Sequence, residues 1–141
     1  METKEIRYIG FFVDKDELLK RLVERGLAGH LTNIIDHPHV TIKYKPTEIH
    51  EELFGEEVLI EAYAYGNDGR NEGLAVTVQT DDDAIREMLT QVRIPHITVS
   101  IAADAEAVDT ARIHFDSIEP FTIKGYFGGF YYERISGHSF H

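Results

Sequence analysis

Two segments of this chain, Pro38-His39-Val40-Thr41-Ile42 and Pro95-His96-Ile97-Thr98-Val99, carry the same residue types in the same order. Histidine takes up or gives away a proton near neutrality, and threonine offers a hydroxyl donor to developing negative charge. Both segments are rich in β-branched residues, as strands are, and in a strand alternate side chains face the same way. His39, Thr41 and Lys43 are therefore expected on one side, with Val40, Ile42 and Tyr44 on the other. In the second copy His96, Thr98 and Ser100 form the polar face, with Ile97, Val99 and Ile101 toward the core. With eight histidines in the chain, about half a His-x-Thr match is expected by chance. Two copies that both follow proline and both open a strand are a stronger signal. If the two strands pack side by side, two imidazoles and two hydroxyls converge on one cleft, and Lys43 and Ser100 become further candidate donors to a ligand.

The elements that would position these motifs also repeat. Residues 6–13 read as a buried strand, followed by a helix with Asp14 and Glu17 in a capping-box-like relation and Leu18, Leu19, Leu22 and Val23 at helical spacing. Gly26 to Pro38 reads as a loop with room for one helical turn. After the first His strand, Thr47 can cap a short helix through Leu53 and Phe54, ended by Gly55. Glu57 to Tyr65 and Gly73 to Gln79 are strand-like runs joined by turn formers. Thr80 and the acidic run Asp81-Asp82-Asp83 suit the start of a helix carrying Ala84, Ile85, Met88, Leu89 and Val92. After the second His strand, Asp104 can cap a short helix through Val108 and Ala111. Pro120 to Ile135 reads as two aromatic strands broken at Gly128-Gly129, and Ser136 to His141 as a frayed tail. One order of elements thus occurs twice, over about residues 1–66 and 72–135 of a single domain, and implies two similar halves about an approximate two-fold.

Composition narrows the chemistry. The 141 residues are 43% hydrophobic, enough for one domain with its own core. Fourteen Lys and Arg stand against 25 Asp and Glu, a formal charge of −11, which repels long nucleic acid and anionic membrane while leaving a small anion in a local pocket possible. The absence of cysteine excludes a disulfide, a thiolate nucleophile and a cysteine zinc site. Met1 to Arg7 is charged, and no stretch approaches the ~18 apolar residues of a membrane span, so a cytoplasmic location is expected.

The paired His-x-Thr strands resemble those of the 2H phosphoesterase superfamily, which includes RNA 2′,3′-cyclic phosphodiesterases of the LigT type. The resemblance implies an α+β, two-lobed domain: two antiparallel sheets with flanking helices around a central cleft. It implies that His39 and His96 are general acid and base and that Thr41 and Thr98 hydrogen-bond phosphate oxygens. The function so implied is that of a metal-independent, cofactor-free phosphodiesterase opening a cyclic phosphate on a small nucleotide or RNA end. The chemistry is coherent: one His activates water, the other protonates the leaving oxygen, and hydroxyls bind the equatorial oxygens. A bell-shaped pH profile near neutrality would follow, and the pseudo-symmetry leaves open which His is the base.

Tyr8, Tyr126, Phe127, Tyr131 and Tyr132 could offer a face to a nucleobase. The Gly26 to Pro38 segment, with His30 and His37, is longer than its counterpart in the second half and is expected to border the substrate. Three alternatives stand beside this reading: destruction of cyclic oligonucleotide signals, a non-catalytic nucleotide-binding module, and a metal site using His37 and His39.

Overall fold

The computed structural model describes residues 6–131. Strand β1 (Ile6–Val13) leads into helix α1 (Lys15–Glu24), a two-residue strand β2 (Asn33–Ile34), β3 (His39–Tyr44), a 3₁₀ turn (Glu51–Leu53) and β4 (Glu57–Asn67). The same succession follows as β5 (Asn71–Gln79), α2 (Asp83–Leu89), β6 (His96–Ile101), a 3₁₀ segment (Ala107–Arg112) and β7 (Asp116–Tyr131).

The strands form one sheet, in the order β2-β6-β3-β1-β7-β4-β5, and β5 pairs back onto β6. The result is a closed six-stranded antiparallel barrel, with β2 sharing with β3 an edge of β6. This corrects the expected two-lobed fold with two separate sheets. Around the ring, a two-fold exchanges β3 with β6, β1 with β5 and β4 with β7. The duplication is present, but the last strand of each half lies beside the other half's first strand: β7 on β1 and β4 on β5. Two half-sheets kept apart would each leave open edges, and closure removes them.

The barrel is filled by the odd-numbered residues of β1 and their counterparts, among them Ile9, Phe11, Val40, Ile60, Leu74, Ile97 and Phe127, each at most 2% exposed. Helix α1 adds Leu18 and Leu22 and α2 adds Ile85, all essentially inaccessible. The α1 cap is as the sequence suggests, Asp14 accepting from the Glu17 N–H at 2.9 Å. At α2 the cap is Asp82, which accepts from the Ile85 N–H, while Thr80 accepts from the Asp82 N–H.

Two β-bulges decide which faces the motif strands present. Gly10 pairs with Thr41 and Ile9 with Lys43, so Ile42 is the extra residue of β3. Gly73 pairs with Thr98 and Glu72 with Ser100, so Val99 is the extra residue of β6. The two bulges sit at the same offset after each threonine. Strand approach there is so close that a Cβ on Gly10 would meet the Val40 carbonyl oxygen at 2.2 Å, and one on Gly73 the Ile97 oxygen at 2.8 Å. An extra residue shifts the alternation by one. Lys43 therefore leaves the His-Thr face of β3 and Tyr44 joins it.

Other local expectations are corrected as well. The segment after Pro46 makes only the 3₁₀ turn, entered through His50 at φ 55° with no side-chain cap, so Thr47 caps nothing. Asp104 holds Arg70 at 3.1 Å instead of capping, and the 3₁₀ segment after it begins beyond Glu106. Strand β7 runs unbroken through Gly128-Gly129, because both glycines pair with β1. Tyr132 and the expected tail at Ser136 to His141 lie outside the described residues. Among the described residues no helix is long and apolar enough to cross a membrane.

Candidate active site

Strands β3 and β6 run antiparallel with Val40 opposite Ile97. One step along that register places His39 opposite Thr98 and Thr41 opposite His96. Each imidazole thus neighbours the other half's hydroxyl. The two histidines stand on a diagonal, a spacing of about 7–8 Å in such a ladder. All four line one cleft of ≈ 280 Å³ on the outer face of the barrel wall, together with Arg7, Tyr8, Ile35, Asp36, His37, Tyr44, Ala107, Val108 and Phe130.

Both rings are held the same way. His39 Nδ1 lies 2.9 Å from the His37 carbonyl oxygen and His96 Nδ1 lies 3.0 Å from that of Ile94. A carbonyl only accepts, so each Nδ1 carries hydrogen and each Nε2 is left for the cleft.

The surroundings differ. His39 stacks on Tyr8 with centroids 4.3 Å apart and planes 15° apart, and Tyr8 stacks in turn on Phe130 at 5.3 Å. Phe12 adds a third ring 5.4 Å from His39. Burial among these rings pushes the His39 imidazole down to about 4, with the positive charge of His96, His37 and Arg7 adding to the effect against the His37 carbonyl bond. Burial likewise pushes the Tyr8 hydroxyl up, so it stays protonated. Thr98 is tied into polar side chains: its hydroxyl lies 2.9 Å from Thr110 Oγ1 and 3.3 Å from the Ala107 carbonyl oxygen.

Of the residues singled out in the sequence, the cleft brings together His39, His96, Thr41, Thr98 and Tyr8. Tyr8 is only 7% exposed and its face is covered by His39, so it walls the site instead of receiving a nucleobase. Lys43, displaced by the bulge, lines a separate pocket with Ile9, Met88 and His50. Ser100 is fully buried and donates to Glu72 at 2.6 Å. Tyr126 pairs with Phe12 and Glu57 on the barrel wall, outside the cleft, and Phe127 is core. Tyr131, at the last position of β7, is likewise absent from the cleft lining.

The Gly26 to Pro38 segment reaches the cleft through Ile35, Asp36 and His37. His30 is turned under it, 2.9 Å from the buried Glu72 carboxylate, which also accepts from Tyr65. Ser100 takes the Leu31 N–H at 2.9 Å, and the Ile35 N–H donates to Val99 at 2.9 Å. The segment is thereby pinned along β6. Sequence reasoning missed Arg7, Asp36, Tyr44, Val108 and Thr110. Arg7, within the expected first strand, and Asp36, within the segment expected to border the substrate, left a signal; Tyr44 depends on a bulge and Val108 and Thr110 on the 3₁₀ segment. Among the described residues no three His, Asp or Glu side chains converge as a metal site. No protein-family model matches the chain, and no curated protein matches it significantly.

Proposed function

We propose that the chain is a metal-independent phosphodiesterase that opens the cyclic phosphate of a nucleotide or RNA end, as its resemblance to 2H phosphoesterases implies. The observation that carries this reading is the square of His39, Thr98, Thr41 and His96 across the β3–β6 ladder, all facing one cleft. A phosphate placed at its centre has one Nε2 on either side along the diagonal and a threonine hydroxyl beside each.

The two environments divide the proton roles. His39 is neutral at pH 7 because burial against the neighbouring rings disfavours its charged form, and with Nδ1–H held by His37 it presents a lone pair at Nε2. It takes a proton from water as the water oxygen attacks phosphorus. The P–O bond to the ribose breaks on the opposite side, and His96 delivers a proton from Nε2 to the leaving oxygen, giving a phosphomonoester. Thr41 and Thr98 donate to the equatorial oxygens as charge builds there. Among the described residues Arg7 is the one Lys or Arg of the cleft lining, which suits a substrate of low charge on a protein of net −11. The cytoplasm, where such nucleotides arise, is the expected location.

The test is product analysis in excess chelator with 2′,3′-cyclic mononucleotides and a panel of cyclic di- and trinucleotides, beside the His39→Ala/His96→Ala double variant. Opening of the 2′,3′-cyclic ring by wild type alone supports the reading. Cleavage of cyclic oligonucleotides alone moves the same residues to signal destruction. An inert wild type refutes a catalytic role for the paired motifs.

A further inference from the structure

We propose that Thr110 and Asn71 are positioning residues that polarise the Thr98 hydroxyl toward an anion in the cleft, an inference that rests on the phosphodiesterase reading above. Asn71 is 2% exposed and Thr110 fully buried, so their polar atoms have only protein partners. Asn71 Nδ2 lies 2.8 Å from the Glu106 carbonyl oxygen, which only accepts, and this fixes the amide with its nitrogen as the donor end. The same nitrogen lies 3.1 Å from Thr110 Oγ1 and donates to it. Thr98 Oγ1 lies 2.9 Å from Thr110 Oγ1 and can donate to it; when the single Thr98 proton turns instead to an acceptor in the cleft, Thr110, already accepting from Asn71, supplies the hydrogen between the two hydroxyls.

With an anion accepting from Thr98, the protons in this chain all run one way: from Asn71 to Thr110, from Thr110 to Thr98, and from Thr98 outward. The Ala107 carbonyl, 3.3 Å from Thr98 Oγ1, makes only a long bond, which a phosphate oxygen would readily replace. Each donor whose lone pair is already engaged is a better donor, so the chain strengthens the final bond. The fold makes room for it. Gly73 lies where a side chain would collide with Thr110 Cγ2 at 2.4 Å, so a glycine in β5 lets the 3₁₀ segment carry Thr110 down onto Thr98. Thr41, at the equivalent place in the other half, has no such partner among the described residues.

The experiment is a double-mutant cycle. Wild type, Thr110→Val, Thr98→Val and the double variant are assayed on 2′,3′-cyclic AMP in chelator, and their affinity for inorganic phosphate is measured by phosphorus NMR. Thr110→Val is expected to lower kcat by about 10-fold or more and to weaken phosphate binding, as loss of a hydrogen bond to a charged group does. Thr110→Ser, which keeps the hydroxyl, should restore both to within about twofold. In the Thr98→Val background, Thr110→Val should cost nothing further, because it acts through the hydroxyl already removed. Losses that multiply in the double variant, or a Thr110→Val protein with wild-type kcat and phosphate affinity, would overturn the proposal. If Thr110→Val does not fold, Asn71→Ser takes its place in the same cycle with the same criteria. A wild type that turns over no cyclic phosphate defeats the phosphodiesterase reading, and the phosphate affinities alone then decide the relay. A wild type that neither turns over cyclic phosphate nor binds inorganic phosphate overturns both.

Discussion

The two His-x-Thr strands have the same sequence pattern, the same bulge and the same carbonyl clamp on the imidazole, yet they sit in unlike surroundings. The first is packed in rings: Tyr8 and Phe12 lie against His39, and Phe130 backs Tyr8. The second is packed in polar groups: Thr110 and Ala107 hold Thr98. The order of elements thus supplied two equivalent sets of groups, and the neighbours gave them different surroundings, aromatic at His39 and polar at Thr98. A symmetric site would be ambivalent about the direction of proton transfer; under the proposed function the unlike surroundings of these two imidazoles favour His39 as the base.

The largest test of that comparison is removal of the imidazoles. His39→Ala and His96→Ala should each lower kcat by roughly 10²–10⁴-fold while the protein stays folded, as judged by circular dichroism. A folded variant with normal turnover would end the catalytic assignment. The threonines should separate the halves: Thr98→Val is expected to cost about 10–100-fold in kcat/KM and Thr41→Val less than about 10-fold, since only Thr98 is preorganised. Equal losses would mean that the polar support does nothing for catalysis.

Next comes pH. A base with its pKa at about 4 stays active well below neutrality, so the acid limb of kcat/KM is expected near pH 4 instead of the 6.5 of an ordinary imidazole. Phe130→Ala, which wets the stack, should move that limb upward. The same shift acts on stability. Between about pH 4 and 6.5 the unfolded chain binds a proton at position 39 that the folded protein does not, so stability falls as pH drops through this window. His39→Gln should flatten that part of the urea-midpoint profile.

The smallest catalytic effects belong to the two residues that the bulges turned away. Lys43→Ala is expected to leave kcat/KM within about twofold of wild type. Ser100→Ala should leave kcat similar but cost about 1–3 kcal/mol of stability, because Glu72 loses a donor and the Leu31 N–H an acceptor. Thermal melting reads the second effect, and a strong kcat loss in Lys43→Ala would mean that its side chain reaches the phosphate after all.

The residues that share the cleft were legible because their information is local. A proline, a histidine and a threonine at fixed offsets, on a strand whose other face is Val or Ile, say which side chains share a face over three residues. Beyond three residues that logic fails at both strands, since a bulge depends on the partner. Gly10 and Gly73 lie on other strands, 31 and 25 residues from Thr41 and Thr98, and nothing near the motifs announces them. Lys43 and Ser100 were misassigned for this reason alone.

Much the same divides the fold. Strand and helix positions, the Asp14 cap and the twofold order of elements follow from periodicity and capping chemistry along the chain itself. Which strand lies beside which does not: the exchange of β4 and β7 between halves, and hence one closed barrel in place of two lobes, depends on hydrogen bonds between distant segments that any strand could offer to any other. The same long-range packing brought Tyr8, Phe12 and Phe130 around His39 and Thr110 onto Thr98. The sequence alone thus determined what groups were available for chemistry, and tertiary structure decided which of them meet and in what state of protonation, because dielectric and register are properties of neighbours.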